Sequence, residues 1–295
     1  MKERARHDPR AAPSSKGDVP SDDVDLAGVI DMHVHSSPDV VQRRMDDLEV
    51  ARAAARRGMR AVVLKSHRTL TADRAYLVER SVPGLRVFGA IVLNHPIGGL
   101  NPLAVETALR MGAAVVWMPT LSASTEPDPL GPPISILEDG RVTADVCEIL
   151  RLIAEFGGVL ATGHLSPAEV DKLVPAARAG GVRKIVVTHP EHPPVLMAPL
   201  AQEELRDRYD VLFERCLITT TIGGGEMQLP ALADRIRRIG VDSTVLATDF
   251  GQPENVEPPD GMAAYIGGLQ ALGFRPHEID RMSRENPAKL LGLNS

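Results

Sequence analysis

His33 and His35 stand one residue apart at the end of the apolar run GVIDMHVHS. In an extended segment that spacing puts both imidazoles on one face, where two ring nitrogens can reach one ion. Neutral imidazole is a good ligand for zinc, iron, nickel or cobalt, at about 2.0–2.1 Å for zinc, and a carboxylate adds charge compensation. The pair alone is a weak signal. It gains weight from its company, because His164 in ATGHLSP, His189 in VVTHPE and Asp249 in ATDFGQP each end another apolar run. Each has a structural alternative: His164 or Asp249 as a cap, His189 as a packed ring before Pro190. Together they favour a metal. Lys65 and His67 end AVVLKSH, Asn94 and His95 end RVFGAIVLN, and with His192 seven of the nine histidines fall at or beside such ends. Lys65 either neutralises a nearby acid or works in the site. His67, His95 and His192 lie nearer the loops and suit surface or substrate contacts.

Residues so placed must be held by elements that end together. Short apolar, β-branched runs alternate with stretches of helical periodicity from Leu26 to the C-terminus. Eight strands are expected, over 28–36, 61–67, 86–94, 113–120, 158–165, 184–190, 216–223 and 244–250. Helical periodicity fills the segments between several of them, as in DDLEVARAAARRG and TADVCEILRLIAEFG. Gly58, Gly112, Gly157 and Gly180 follow such runs, where a left-handed cap is favoured, and Ser166-Pro167-Ala168-Glu169 reads as a capped helix start. Eight apolar strands separated by helices predict an α/β fold, a closed (β/α)8 TIM barrel, for which about 250 residues is typical. An open doubly wound sheet is the rival, but no glycine-rich phosphate fingerprint follows strand 1. Residues 1–25 are expected to be a disordered tail, and 26–295 one barrel domain with lid-like loops over 121–143 and 191–213. Asp139-Gly140 predicts a small hairpin in the first of these.

Composition narrows the class. The chain has 295 residues, a formal charge of −6 and no dense Lys/Arg cluster, which argues against nucleic acid as a partner. No apolar run approaches the length of a membrane span and no secretory leader is evident, so a cytoplasmic protein without a membrane partner is expected. Cys147 and Cys216 read as reduced thiols and receive no role.

The residues resemble the amidohydrolase superfamily of metal-dependent hydrolases. The resemblance covers roughly 26–293 and rests on His33-x-His35, His164, His189, Asp249 and the closing RENPAKLLGL. Stretches such as VVWMPT and TDFGQP are similar to a poorly characterised group within it. The resemblance implies a distorted (β/α)8 barrel in which His33, His35 and Asp249 hold one divalent ion, most simply Zn2+. His164 then completes a mononuclear site or joins His189 at a second ion. Binuclear members carry a bridging carboxylated lysine or glutamate ending strand 4, whereas strand 4 here ends Trp117-Met118-Pro119-Thr120. One ion is the simpler expectation, with a carbamylated Lys65 or Glu191 as substitute anions for two. The implied activity is hydrolysis of a small amide, cyclic amide, lactone or ester by activated water, with Asp249 as general base and acid, and His189 and Lys65 as further catalytic groups. Decarboxylation of an unsaturated or aromatic acid, with Lys65 and Arg68 supplying charge, and a noncatalytic metal-binding barrel are the alternatives. The resemblance also implies self-association.

Overall fold

The computed structural model describes residues 24–126 and 130–293. The expected tail over 1–25 lies almost wholly outside them. Eight strands form one sheet: β1 (Ile30–His35), β2 (Ala61–Lys65), β3 (Arg86–Val92), β4 (Ala113–Trp117), β7 (Val159–Ala161), β8 (Lys184–Val187), β9 (Leu212–Cys216) and β10 (Thr244–Ala247). Every adjacent pair is parallel. Parallel strands need crossovers, and the helices α1 (Asp47–Arg56), α2 (Ala72–Ser81), α3 (Pro102–Arg110), α4 (Ala144–Phe156), α5 (Pro167–Ala179), α6 (Pro199–Tyr209) and α7 (Leu229–Ile239) supply them. After β10 come α8 (Pro258–Ala271) and the short helices α9 (Pro276–Asp280) and α10 (Asn286–Leu291). This is the expected (β/α)8 barrel. The seam between β1 and β10 is closed near its C-terminal end. There His35 N donates to Phe250 O at 2.8 Å and Asp249 N to His33 O at 2.9 Å.

Local chemistry explains most boundaries. Ser166 accepts from Glu169 N while the Glu169 side chain accepts from Ser166 N, closing the box that starts α5. The Asp139-Gly140 turn has φ of 48° and 73°, the two left-handed residues of a tight hairpin turn, and joins β5 (Leu137–Glu138) to β6 (Arg141–Val142).

Three expectations are corrected. The seventh barrel strand is Leu212–Cys216, and Leu217–Thr220 is a 3-10 turn, not the start of a strand over 216–223. The connection expected as a loop over 191–213 contains α6 at its centre and ends in the start of β9. Gly180 keeps φ at −76°, and the left-handed residue is Gly181 at 87°.

Inside the barrel Met32, Val63, Val92, Val115, Trp117, Val159 and Val186 form a buried apolar cluster. Ala288 and Leu290 join it from α10, so the closing NPAKLL packs against the barrel interior. Outside it, Val116, Leu160, Ile185 and Val187 pack with residues of the helices. β1 pairs with β2 through a register shift between Asp31 and Val34. The extra residue lets Ile30 and Met32 face the interior cluster while Val34 packs outward with Val50 and Ala53 of α1. His33 and His35 are thereby turned into the barrel mouth.

Candidate metal centre

Two strand ends and a following loop bring the central residues together. His33 and His35 come from β1 and Lys65 from the end of β2, while Asp249 stands two residues beyond β10. His33 Nε2 and His35 Nε2 both lie 3.0 Å from Asp249 Oδ1. Lys65 Nζ donates to His33 Nε2 at 2.8 Å and lies 5.2 Å from the centroid of the Trp117 ring. On the other edge of the imidazole, His33 Nδ1 meets Glu214 Oε2 at 3.1 Å, the carboxylate–histidine contact that orients a metal-binding ring.

Backbone geometry is fitted to these positions. Asp249 has φ of 56°, a conformation in which a non-glycine residue is strained, and two residues on Gly251 has φ of 146°. A Cβ on Gly251 would sit 1.9 Å from His35 O, so only glycine lets the loop cross β1 there. Gly163, just before His164, plays the same part: its Cβ would meet Met118 O at 2.4 Å.

His189 Nε2 is 3.9 Å from Asp249 Oδ2, and both of its ring nitrogens are buried without a hydrogen-bond partner, as is His35 Nδ1. His164 turns Nδ1 to Glu126 Oε1 at 2.9 Å, and its ring centroid lies 4.9 Å from that of His189. Its ring centroid also lies 6.2 Å from that of His67 and 5.8 Å from that of His192. His67 stacks on His35 at 4.7 Å and bonds Thr120 Oγ1 through Nδ1 at 2.8 Å, and His192 Nδ1 donates to Gly224 O at 3.0 Å. His95 is elsewhere, its Nε2 bonded to Pro132 O at 2.8 Å. Glu191, by sequence either an anion supply or a loop residue, lies in the loop after β8, buried and paired with Arg215 of β9.

Sequence reasoning gave no functional role to Glu214, Trp117, Glu126 or Cys216. Cys216 Sγ lies 3.7 Å from His33 Nδ1, and among the described residues His33, Cys216 and Asp249 each offer a ligand atom within 4.8 Å of the others. Glu214 and Cys216 are two apart on β9, and placing that strand four residues late left Glu214 outside it.

Burial lowers His35 to about 3 and His164 to about 4, and it takes His189 and His67 well below the usual imidazole range. These rings are neutral at pH 7, as ligands must be. Asp249 behaves oppositely: burial would raise it, but His33 and His35 hold it well below the usual carboxylate range. Burial also lowers Lys65, against the pull of Asp249 and Glu214. Burial opposes charge on His33 as well, yet Asp249 and Glu214 raise its pKa. The two carboxylates thus demand positive charge where His33 Nε2, His35 Nε2 and Asp249 Oδ1 meet. A divalent cation suits that demand, and the imidazole–carboxylate donor set fits zinc.

Above this centre lies a cleft of about 240 Å3, lined by residues that include His35, His67, His164, His192 and Asp249. A larger hollow of about 470 Å3 lies between the C-terminal end of α4 and the start of β8, far from these groups. Chemistry selects the smaller one, which sits at the C-terminal ends of the strands, where barrel enzymes place their active sites.

The same barrel fold occurs in solved structures of other proteins. An amidohydrolase from Pseudomonas aeruginosa superposes with a TM-score of 0.64 at 12% identity, covering 92% of this chain and 96% of that one. A 2,6-dihydroxybenzoate decarboxylase from Rhizobium superposes at 0.58 with 13% identity, covering 92% and 100%. Residues 28–214 match the model of a family of unknown function, DUF6282, and the chain belongs to that family. No curated protein matches the sequence. Among the described residues no helix is long and apolar enough to cross a membrane.

Proposed function

We propose that this chain is a metal-dependent hydrolase of a small acyl compound: an amide, cyclic amide, lactone or related ester. The observation that carries the proposal is the meeting of His33 Nε2 and His35 Nε2 on one Asp249 oxygen, 3.0 Å from each. His33, His35 and Asp249 would hold one divalent cation, most simply Zn2+, with His189 beside them and the His164 ring 4.9 Å from that of His189. When bound, the cation supplies a Lewis acid for a carbonyl and acidifies water. Asp249, ionised at neutral pH, accepts a proton from the attacking water and returns it to the leaving group. His189, neutral and unpartnered, donates an N–H to charge developing on the carbonyl oxygen. Lys65 lies beneath the cleft and donates to His33 Nε2 at 2.8 Å. A single ion is favoured because the end of β4 and the residues that follow it, Trp117-Met118-Pro119-Thr120, offer no acidic bridge.

The decarboxylase reading needs a cation in the cleft to grip an acid. Neither Lys65 nor Arg68 is among the residues that line it, which supports hydrolysis instead. The test is zinc reconstitution followed by turnover of a panel of amides, lactones and esters. One equivalent of metal and a fall of about 10²–10⁴ in kcat for Asp249→Asn are expected. Unchanged turnover in that variant would refute the assignment.

A further inference from the structure

The cleft wall above the centre says what kind of tail the substrate carries. Among the described residues, none of those lining it is Lys or Arg, while Glu126 and Glu254 add two carboxylates to that of Asp249. Glu126 Oε1 lies 2.9 Å from His164 Nδ1, which fixes the carboxylate on that wall. Glu254 is exposed, in the loop that follows Asp249. The rest of the wall includes Leu121, Ile218 and Ile222, and Ile222 is 89% exposed at the rim. An isoleucine left in water beside an ionised wall suits an aliphatic group that covers it. Independently, the two ring nitrogens of His189, buried and without partners beside His164 and His192, call for a polar ligand atom just below that wall.

We infer that the site takes acyl substrates whose tail, beyond the reacting carbonyl, is aliphatic and neutral or positively charged, and that it excludes tails ending in a carboxylate. A carboxylate tail would lie among Glu126 and Glu254 with no cation to receive it, and like charges in a partly enclosed cleft repel strongly. An ammonium tail meets the same two groups favourably. The inference rests on the hydrolase reading only for the end of the substrate that enters first.

Three ligands with the same carbonyl-chelating end and six-carbon length separate the possibilities: hexanohydroxamate, adipic monohydroxamate and 6-aminohexanohydroxamate. Binding to the zinc-reconstituted full chain is followed by calorimetry and by fluorescence of Trp117, the one tryptophan, whose ring centroid lies 5.5 Å from that of His33. Adipic monohydroxamate is expected to bind at least about tenfold more weakly than hexanohydroxamate, and the amino ligand at least as tightly. Glu254→Gln, and separately about 0.5 M salt, should each narrow the gap, because an exposed carboxylate is screened. Equal or tighter binding of the adipic ligand overturns the inference, and so does a gap that neither Glu254→Gln nor salt changes. Charge preference without turnover of any ester or amide would overturn the hydrolase reading and leave this inference standing.

Discussion

At the scale of single residues, the centre is a charge balance built around one imidazole. His33 faces Asp249 and Lys65 with Nε2, and Glu214 with Nδ1. Two carboxylates against one ammonium leave the cluster short of positive charge. Lys65 stands within reach of that demand with Nζ over the Trp117 ring, but burial lowers its pKa and so disfavours its charged form. Glu214 acts differently, by fixing which edge of His33 is free for a ligand. A partner of this kind is worth about 10–100-fold in metal affinity. Glu214→Gln keeps the shape and removes the charge. Zinc affinity measured by chelator competition should fall within that range while the folded state persists. An unchanged affinity would mean that His33 is oriented by packing alone.

At the scale of elements, the outward face of β9 matters as much as its inward face. Arg215 is fully buried, pairs with Glu191 and donates to Gln202 Oε1 of α6 at 2.9 Å. Glu191 follows His189 by two residues, so this pair anchors the loop that presents His189 and His192 to the cleft. Removing one member of a buried pair strands the other charge and costs about 3–5 kcal/mol. Arg215→Met should lower stability to urea by about that much. A loss within error would show that Glu191 finds water instead. The same strand marks where sequence reading reached its limit. LFERC carries Glu214 and Arg215 at its centre, which disguises a buried strand, whereas the adjacent LITTTIG has the β-branched composition of one. Pairing with β8 and β10 decided the matter, and no local pattern reports pairing. His33, His35 and Asp249 were legible because polar groups ending apolar runs are conspicuous. The orienting partners were not: Glu126, the partner of His164, lies in a loop distant in sequence, and Glu214, the partner of His33, was hidden by misplacing β9. The bulge in β1 left no mark in a run of alternating residues.

At the scale of the whole molecule, the two ends of the barrel are closed by different devices, and only one touches the chemistry. At the mouth, Asp31 accepts from Thr248 N at 3.1 Å and Thr248 Oγ1 at 2.5 Å, tying β1 to the segment that carries Asp249. Burial pushes the Asp31 carboxyl up to about 7 in spite of the Thr248 bonds. At the other end, Asn286 Nδ2 donates to Val241 O at 2.9 Å, Asp242 O at 3.2 Å and Thr244 O at 2.7 Å, fastening α10 to the start of β10. Each device holds polar groups whose loss of a partner costs about 1–3 kcal/mol. Asn286→Leu should therefore lower stability by about that amount and leave zinc affinity unchanged, because the strand length separates it from His33 and Asp249. Thr248→Val should cost a similar stability and also weaken zinc binding, since it loosens the seam from which Asp249 projects. Urea unfolding and metal competition on both variants decide between this division and a barrel that transmits strain end to end. In the second case Asn286→Leu would lose zinc affinity in proportion to its stability.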